Sequence, residues 1–420
     1  MSADLERLLK IGTEGGAVEV KRKKSQHPQG WESLVISERG GYITTPPQAS
    51  PPENWDAFLA ELLPEGMNPK DYEVDGASVE MRAWDGNIGE GEIKRFYYFK
   101  ARLKRKTLLI AGVDLDDIIK AAKSAKTPKR SKTLPNERTY WLHVTDLQAG
   151  QGDGLGVAGM VSKALQLADL AIQDLKDLEK SGKAAGSIFI PITGDLVEGI
   201  EGWYATQTFS VQLDRRDQVK LVRRLLTEFL IRLEACGLPI HVAAVPGNHG
   251  ENRQGGKAYT SYSDNDDLAL VEQIAEAFSL AGKTNVTFSL PQKERLSLTV
   301  EVQGYIVGLT HGHVARSAGS VEAKILDWFK KMSATRDPIG DSEILFTGHY
   351  HHAIYKQLVG NTEWVQGGAL CDTSAWFSQS MGLVNDPVVM RGTITKAQKL
   401  EWIAPHRWPR SVPESRTING

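Results

Sequence analysis

The feature that most constrains this chain is a run of three apolar strands alternating with two long amphipathic helices. TYWLHVTD (Thr139–Asp146), SIFIPITGD (Ser187–Asp195) and PIHVAAVPGNHG (Pro239–Gly250) read as buried strands. GVAGMVSKALQLADLAIQDLKDLEK (Gly156–Lys180) and DQVKLVRRLLTEFLIRLEACG (Asp217–Gly237) carry apolar residues at helical spacing. This βαβαβ order implies a parallel sheet with helices on it, because each helix must return the chain to the edge where the next strand starts. Residues at the strand ends then converge on the crevice at the carboxyl edge of the sheet.

Further strands are expected near Leu296–Val302, Tyr305–Thr310, Ile344–Gly348, Ala353–Leu358 and Gly392–Thr395, in a second, partly antiparallel sheet. The α/β pattern therefore covers 139–405, and 406–420 reads as a C-terminal tail. Before it, KSAKTPKRSKTLPNER has no apolar period, so 123–138 reads as a basic linker. Residues 53–122 read as a small α+β accessory domain. There, Trp55, Phe58, Leu59, Leu62 and Leu63 recur at helical spacing, and SVEMRAW (Ser78–Trp84) and RFYYFKARLKRK (Arg95–Lys106) alternate as strands. Residues 1–52, polar and ending in TTPPQASPP, read as a flexible segment.

No apolar run approaches the roughly 18 residues of a membrane span, and Met1–Gly15 lacks the pattern of a signal peptide. The two cysteines, Cys236 and Cys371, form no CxxC pair, which excludes a disulfide framework and a thiolate zinc site. A cytoplasmic setting is expected. The net charge is only −2, yet Lys94–Lys132 holds thirteen Lys and Arg against three Asp, a local balance of +10. Such asymmetry suits a polyanionic partner, although a solvated linker has the same composition. One face of the 95–106 strand carries Phe96, Tyr98, Lys100, Arg102 and Lys104. Aromatics that stack bases beside cations that neutralise phosphates make Tyr98, Lys100 and Arg102 candidate nucleic-acid contacts, with an ordinary amphipathic strand as the alternative.

The strand ends carry the chemistry. The three βαβαβ strands end in Asp146-Leu147-Gln148, in GDLVEG with Asp195 and Glu198, and in GNHGEN with Asn248 and His249. Later strands end in THGHVAR, with His311 and His313, and in GHYHH, with His349, His351 and His352. Carboxylate, amide oxygen and imidazole together suit Mn, Zn or Fe, and a carboxylate between two ions can bridge them. Each motif alone is weak; the ordered series, each member after an apolar strand, is not a chance pattern.

In that order the series resembles the calcineurin-like metallophosphoesterase superfamily, whose pattern is D-x-H, G-D-x-x-D/E, G-N-H-D/E, H and G-H-x-H, over about Thr139–Ile403. The resemblance implies a four-layer αββα sandwich with two divalent metal ions, Mn first, with Mg, Zn or Fe as alternatives. It implies that Asp146, Asp195, His351 and Gln148 hold one ion, that Asp195 bridges, and that Asn248, His311 and His349 complete the other. It further implies that His249 faces the phosphate and stabilises charge or protonates the leaving oxygen, that Glu198 orients His249, and that a hydroxide between the ions is the nucleophile. Trp203, Tyr204, Arg253 and Arg316 come just after motif residues and are candidate cleft residues.

Two departures stand out. Gln148 replaces a histidine, and the acid expected directly after His249 is displaced to Glu251 by Gly250. A Gln amide oxygen is an uncharged, harder donor than imidazole, so its metal site should be the weaker of the two and lean toward Mn or Mg. The histidine at the fourth motif and the full G-H-x-H are similar to the diesterase and nuclease branches, and the chain also resembles phage-encoded members with N-terminal extensions, which would place it in a host cytoplasm. The expected function is therefore hydrolysis of nucleic-acid phosphodiesters, DNA ahead of RNA, without a membrane partner and compatible with a homo-oligomer. The competing readings are a small-molecule or cyclic-nucleotide phosphoesterase and a non-catalytic nucleic-acid-binding protein with a degraded metal site.

Overall fold

The computed structural model describes residues 34–37, 40–44, 55, 72–74, 78–87, 92–105, 115–125 and 137–409, apart from 204–206, 255–256, 259 and 373–385. The proposed helix around Trp55–Leu63 (beyond Trp55 itself), most of the basic linker, and Tyr204 lie outside these residues.

Five strands precede residue 106: β1 (Leu34–Ser37), β2 (Gly40–Thr44), β3 (Tyr72–Val74), β4 (Glu80–Asn87) and β5 (Ile93–Arg105). β5 is the spine of an antiparallel sheet, pairing with β2, β3 and β4, while β1 pairs with β2. Two of these strands lie in the stretch read from sequence as flexible. Helix α1 (Leu115–Ser124) comes next, and Lys283 Nζ bonds the Ala125 carbonyl beyond its end at 2.7 Å.

The βαβαβ run forms as its pattern predicts: β6 (Arg138–His143), α2 (Gly156–Lys180), β7 (Ser187–Ile192), α3 (Arg215–Glu234) and β8 (Ile240–Ala244). A helix not expected from the sequence, α4 (Asp266–Leu280), then leads to β9 (Val286–Ser289). The chain continues through β10 (Ser297–Val302), β11 (Tyr305–Thr310), α5 (Val321–Ala334), β12 (Ile344–Thr347), β13 (Ile354–Gln357), β14 (Glu363–Gln366), β15 (Val388–Thr395) and β16 (Trp402–Arg407). The first large sheet has the order β9-β8-β7-β6-β15-β16, with β9 to β6 parallel and the last two antiparallel. The second has the order β10-β11-β12-β14-β13, parallel in its centre and antiparallel at both edges. The first sheet extends past the expected domain end at 405: β16 reaches Arg407, and Trp408 is buried with its Nε1 on Gln166 Oε1 at 3.1 Å.

Strand alternation divides the core. Tyr140, Leu142 and Val144 point to one side and pack with Leu167, Leu225 and Ile274 of α2, α3 and α4. Trp141 points to the other and packs between the sheets with Phe189, Ile344, Phe346 and Met390. Beyond the second sheet, Ile325, Trp328 and Phe329 of α5 cover Leu345 and Trp364. The layer order is thus helices, sheet, sheet, helix, the αββα arrangement expected above. No helix among the described residues is long and apolar enough to cross a membrane.

Candidate metal centre

The loops after β6, β7, β8, β11 and β12 carry Asp146, Asp195, Asn248, His311 and His349 to one crevice. Backbone bonds lock them together: Asp146 N–H donates to the Gly194 carbonyl, Gln148 N–H to the Asp195 carbonyl, and Gly348 N–H to the His311 carbonyl, at 2.9–3.0 Å. Asp146, Gln148, Asp195, His349 and His351 all have φ between 42° and 75°. Left-handed backbone costs a non-glycine residue on the order of 1–3 kcal/mol, and its concentration in ligand-type side chains marks a site held in place by its surroundings. Gly247 permits the close approach, since a Cβ there would stand 2.1 Å from Asp195 Oδ1.

Asp195, His311 and His349 bring one ligand atom each within 4.8 Å of one another. Asp195 Oδ2 and His311 Nε2 are paired with each other at 2.8 Å and have no other hydrogen-bond partner, and Asn248 Oδ1 is buried without a hydrogen bond. Burying such an atom unpaired is costly. Carboxylate, amide and imidazole atoms with no partner outside the group suit a divalent cation, which would take the place of the proton between Asp195 and His311. His311 Nδ1 lies 2.6 Å from the Thr193 carbonyl, so its proton belongs there and Nε2 is left as the donor. Burial opposes charge on His311, but the Asp195 carboxylate, its bond to Nε2 and the Asp146 carboxylate outweigh it and raise the pKa to about 9, so without a metal Nε2 carries a proton that a cation would displace.

Asp146 lies across the crevice, fully buried, with Oδ1 3.3 Å from His351 Nε2. It accepts the Thr145 hydroxyl at 2.6 Å and the His349 N–H at 3.1 Å. Gln148 is placed beside it but differs from Asn248. Its Oε1 already accepts the Cys371 thiol at 3.1 Å and Gln151 Nε2 at 3.4 Å. The residues therefore fit one ion well, on Asp195, Asn248, His311 and His349, and a second one less completely, on Asp146, His351 and Asp195.

His249 stands at the mouth. Its Nδ1 lies 2.8 Å from the Glu198 backbone carbonyl and 3.5 Å from the Glu198 carboxylate, so the main chain supplies the short bond that the sequence assigned to the side chain. Its Nε2 is 4.0 Å from Asp195 Oδ2. Burial would lower its pKa, but Asp195 and Glu198 together raise it, which favours the imidazolium. Trp203 stacks on the ring at 5.4 Å and 17°, and Arg253 covers the outer face of Trp203 at 3.5 Å. Glu251 pairs with Arg253 at 2.8 Å. The displaced acid thus braces the stack rather than the metal set.

Sequence reasoning missed Asp267. From the first turn of α4 it accepts the N–H groups of Asp195 at 2.9 Å, Leu196 at 3.0 Å and Gly247 at 2.9 Å. Burial and the nearby Asp195 push its pKa up to about 7. A Cβ on Gly250 would meet Asn265 Oδ1 at 2.5 Å and Asp267 Cγ at 3.1 Å, which is why glycine comes after His249 here. The only signal in the sequence was the helix start Asn265-Asp266-Asp267, where Asn265 caps the helix through Asp267 N–H at 2.9 Å. His313 is buried, tilted against His311 at 5.4 Å, with its pKa lowered to about 3 by burial and then by His311. Arg316 is exposed beside it, its Nε 3.4 Å from the His313 carbonyl. Tyr98, Lys100 and Arg102 belong to β5, in a different sheet from the metal centre.

No family model and no curated sequence matches the chain. Solved structures do. Vps29 of Entamoeba histolytica complexed with zinc is 13% identical, over 64% of this chain and 98% of that one, with a TM-score of 0.30. A predicted phosphoesterase of Streptococcus pneumoniae is 11% identical over 64% and 98%, with a TM-score of 0.26. Phosphopantetheinyl hydrolase of Mycobacterium tuberculosis is 12% identical over 56% and 92%, with a TM-score of 0.27. At these values the likeness carries no argument about function.

Proposed function

We propose that this chain is a divalent-metal-dependent phosphodiesterase acting on nucleic acid, DNA ahead of RNA. One observation carries the reading: Asp195, His311 and His349 bring one ligand atom each within 4.8 Å of one another, and Asn248 Oδ1 is buried without a hydrogen bond. Cations held there, Mn first, would polarise a phosphoryl oxygen and lower the pKa of a bound water. The protein's own part is positional and electrostatic. Asp195, Asn248, His311 and His349 would hold one ion, and Asp146 and His351 the other, with Asp195 shared. His249, anchored through Nδ1 on the Glu198 carbonyl, would offer Nε2 to a phosphate oxygen and, when protonated, donate that proton to the leaving oxygen. Trp203 and Arg253 fix the plane of that ring.

The polynucleotide preference is supported by the +10 segment and the aromatic–cationic strand. A metal-titrated screen tests it, with single-stranded DNA, duplex DNA, RNA and small chromogenic diesters, and with Asp195→Asn and His249→Ala as controls. Metal-dependent cleavage of polynucleotide, lost in Asp195→Asn, is the expected result. Cleavage of small diesters alone would favour a small-molecule phosphoesterase, and no hydrolysis with any metal would sink the enzyme reading.

A further inference from the structure

The register of β4 on β5 assembles a surface that neither strand shows alone. Trp84 is directly opposite Phe96, Arg82 opposite Tyr98, Gly86 opposite Lys94 and Glu80 opposite Lys100. Directly opposed residues project from the same face of a sheet. Over β4 and the facing part of β5 that face therefore carries Trp84, Phe96 and Tyr98 interleaved with Arg82, Lys94, Lys100 and Arg102, with Glu80 opposite Lys100. Trp84 and Phe96 stack at 5.9 Å and 25°. Gly86 leaves room for this pair, since a Cβ there would stand 3.0 Å from the Phe96 ring.

The two faces differ around Phe99 and Ala101. On the other side Phe99 and Ala101 are buried, and the Trp55 ring meets Phe99 edge-on at 6.4 Å. On the aromatic–cationic side Arg82, Lys94 and Arg102 are exposed, and Trp84 is 37% exposed. A core-facing surface would not carry four cations, and here they flank a stacked aromatic pair, Trp84 on Phe96. We propose that this face binds single-stranded nucleic acid, with bases on Trp84, Phe96 and Tyr98 and phosphates on Arg82, Lys94, Lys100 and Arg102. From Lys94 to Arg102 the strand spans roughly 27 Å at ~3.4 Å per residue. That length suits a short segment at the lower end of the ~4–16 nucleotides that comparable grooves hold. Delivery of that strand for cleavage rests on the phosphodiesterase reading of the metal centre; the binding itself does not.

The test uses the full chain carrying Asp195→Asn, so that the strand is not cut. Fluorescence anisotropy compares a labelled oligothymidylate, duplex DNA and inorganic polyphosphate across a salt series. Oligothymidylate should bind tightest, Trp84→Ala should weaken it about ten-fold, and Trp84→Phe should restore most of the loss. Lys94→Gln should flatten the slope of log affinity against log salt by about 0.7, the share of one phosphate. Absence of binding, equal binding to polyphosphate with no effect of Trp84→Ala, or preference for duplex would each overturn the proposal. If Trp84→Ala does not fold, Trp84→Phe and Lys94→Gln still decide it. A parallel assay of the wild-type chain on a small diester separates the two readings. Turnover without strand binding removes only the platform, and strand binding without turnover removes only the enzyme.

Discussion

Cys371 Sγ lies 3.1 Å from Gln148 Oε1, in position to donate to an amide oxygen that Gln151 Nε2 also approaches. The residue standing where the metal series has histidine is thus already bonded, whereas Asn248 Oδ1 is not. On the proposed reading two metal sites should be unequal: a tight one on Asp195, Asn248, His311 and His349, and a weak one on Asp146 and His351. Titration calorimetry should resolve the two, and Gln148→His should raise affinity at the weak site about ten-fold or more. Two equal tight sites in the parent protein would contradict this account of Gln148.

Asp267 should behave as a metal-site residue although it touches no metal. Asp267→Ala leaves three buried N–H groups without an acceptor, at about 1–3 kcal/mol each. The urea midpoint should fall clearly, and divalent-metal affinity should fall with it, because the loops of Asp195 and Gly247 lose their common anchor. Asp267→Asn keeps one carbonyl acceptor and should be milder on both readouts. Unchanged metal affinity in both variants would show that Asp267 is only a helix-start residue.

How far the sequence reached is plain from particular residues. Asp146, Asp195, His311 and His349 were legible because each comes just after an apolar strand, and parallel strands deliver their end residues to one edge. The βαβαβ run was legible because period and length agree over long segments. Asp267 was not, because it comes from the first turn of a helix and acts through backbone groups that no motif records. Cys371 was not, because its place beside Gln148 depends on the loop after β14, itself only four residues long. The service of Glu251 to Arg253 and Trp203 needed the stack to be seen.

The Trp203–His249 stack should matter to turnover. Removing His249 should cost about 10²–10⁴ in kcat, the usual weight of a positioned acid. Trp203→Ala should cost less, about ten-fold, and Trp203→Phe should recover most of it by keeping a ring against the imidazole. A full recovery by Trp203→Leu would indicate a packing role without stacking.

His143 makes the fold acid-sensitive. It is buried between the sheets with Nε2 2.8 Å from Thr193 Oγ1, and burial lowers its pKa to about 3 against a partial opposing pull from Asp146. The unfolded imidazole protonates near pH 6.5, so the unfolded state binds the proton first. This contribution is complete above about pH 6.5 and is lost progressively as pH falls toward about 3. Between pH 7 and pH 4.5 the metal-free protein should lose more stability than His143→Gln does, measured by chemical denaturation. Equal losses would remove His143 from the account.

On the proposed reading Asp195, Asn248, His311 and His349 hold a metal ion. Anomalous diffraction from crystals soaked in Mn would locate it. The account predicts a strong peak bounded by Asp195, Asn248, His311 and His349, with a weaker one beside Asp146 and His351. A crevice without a peak, with Asp195 and His311 still paired to each other, would contradict it.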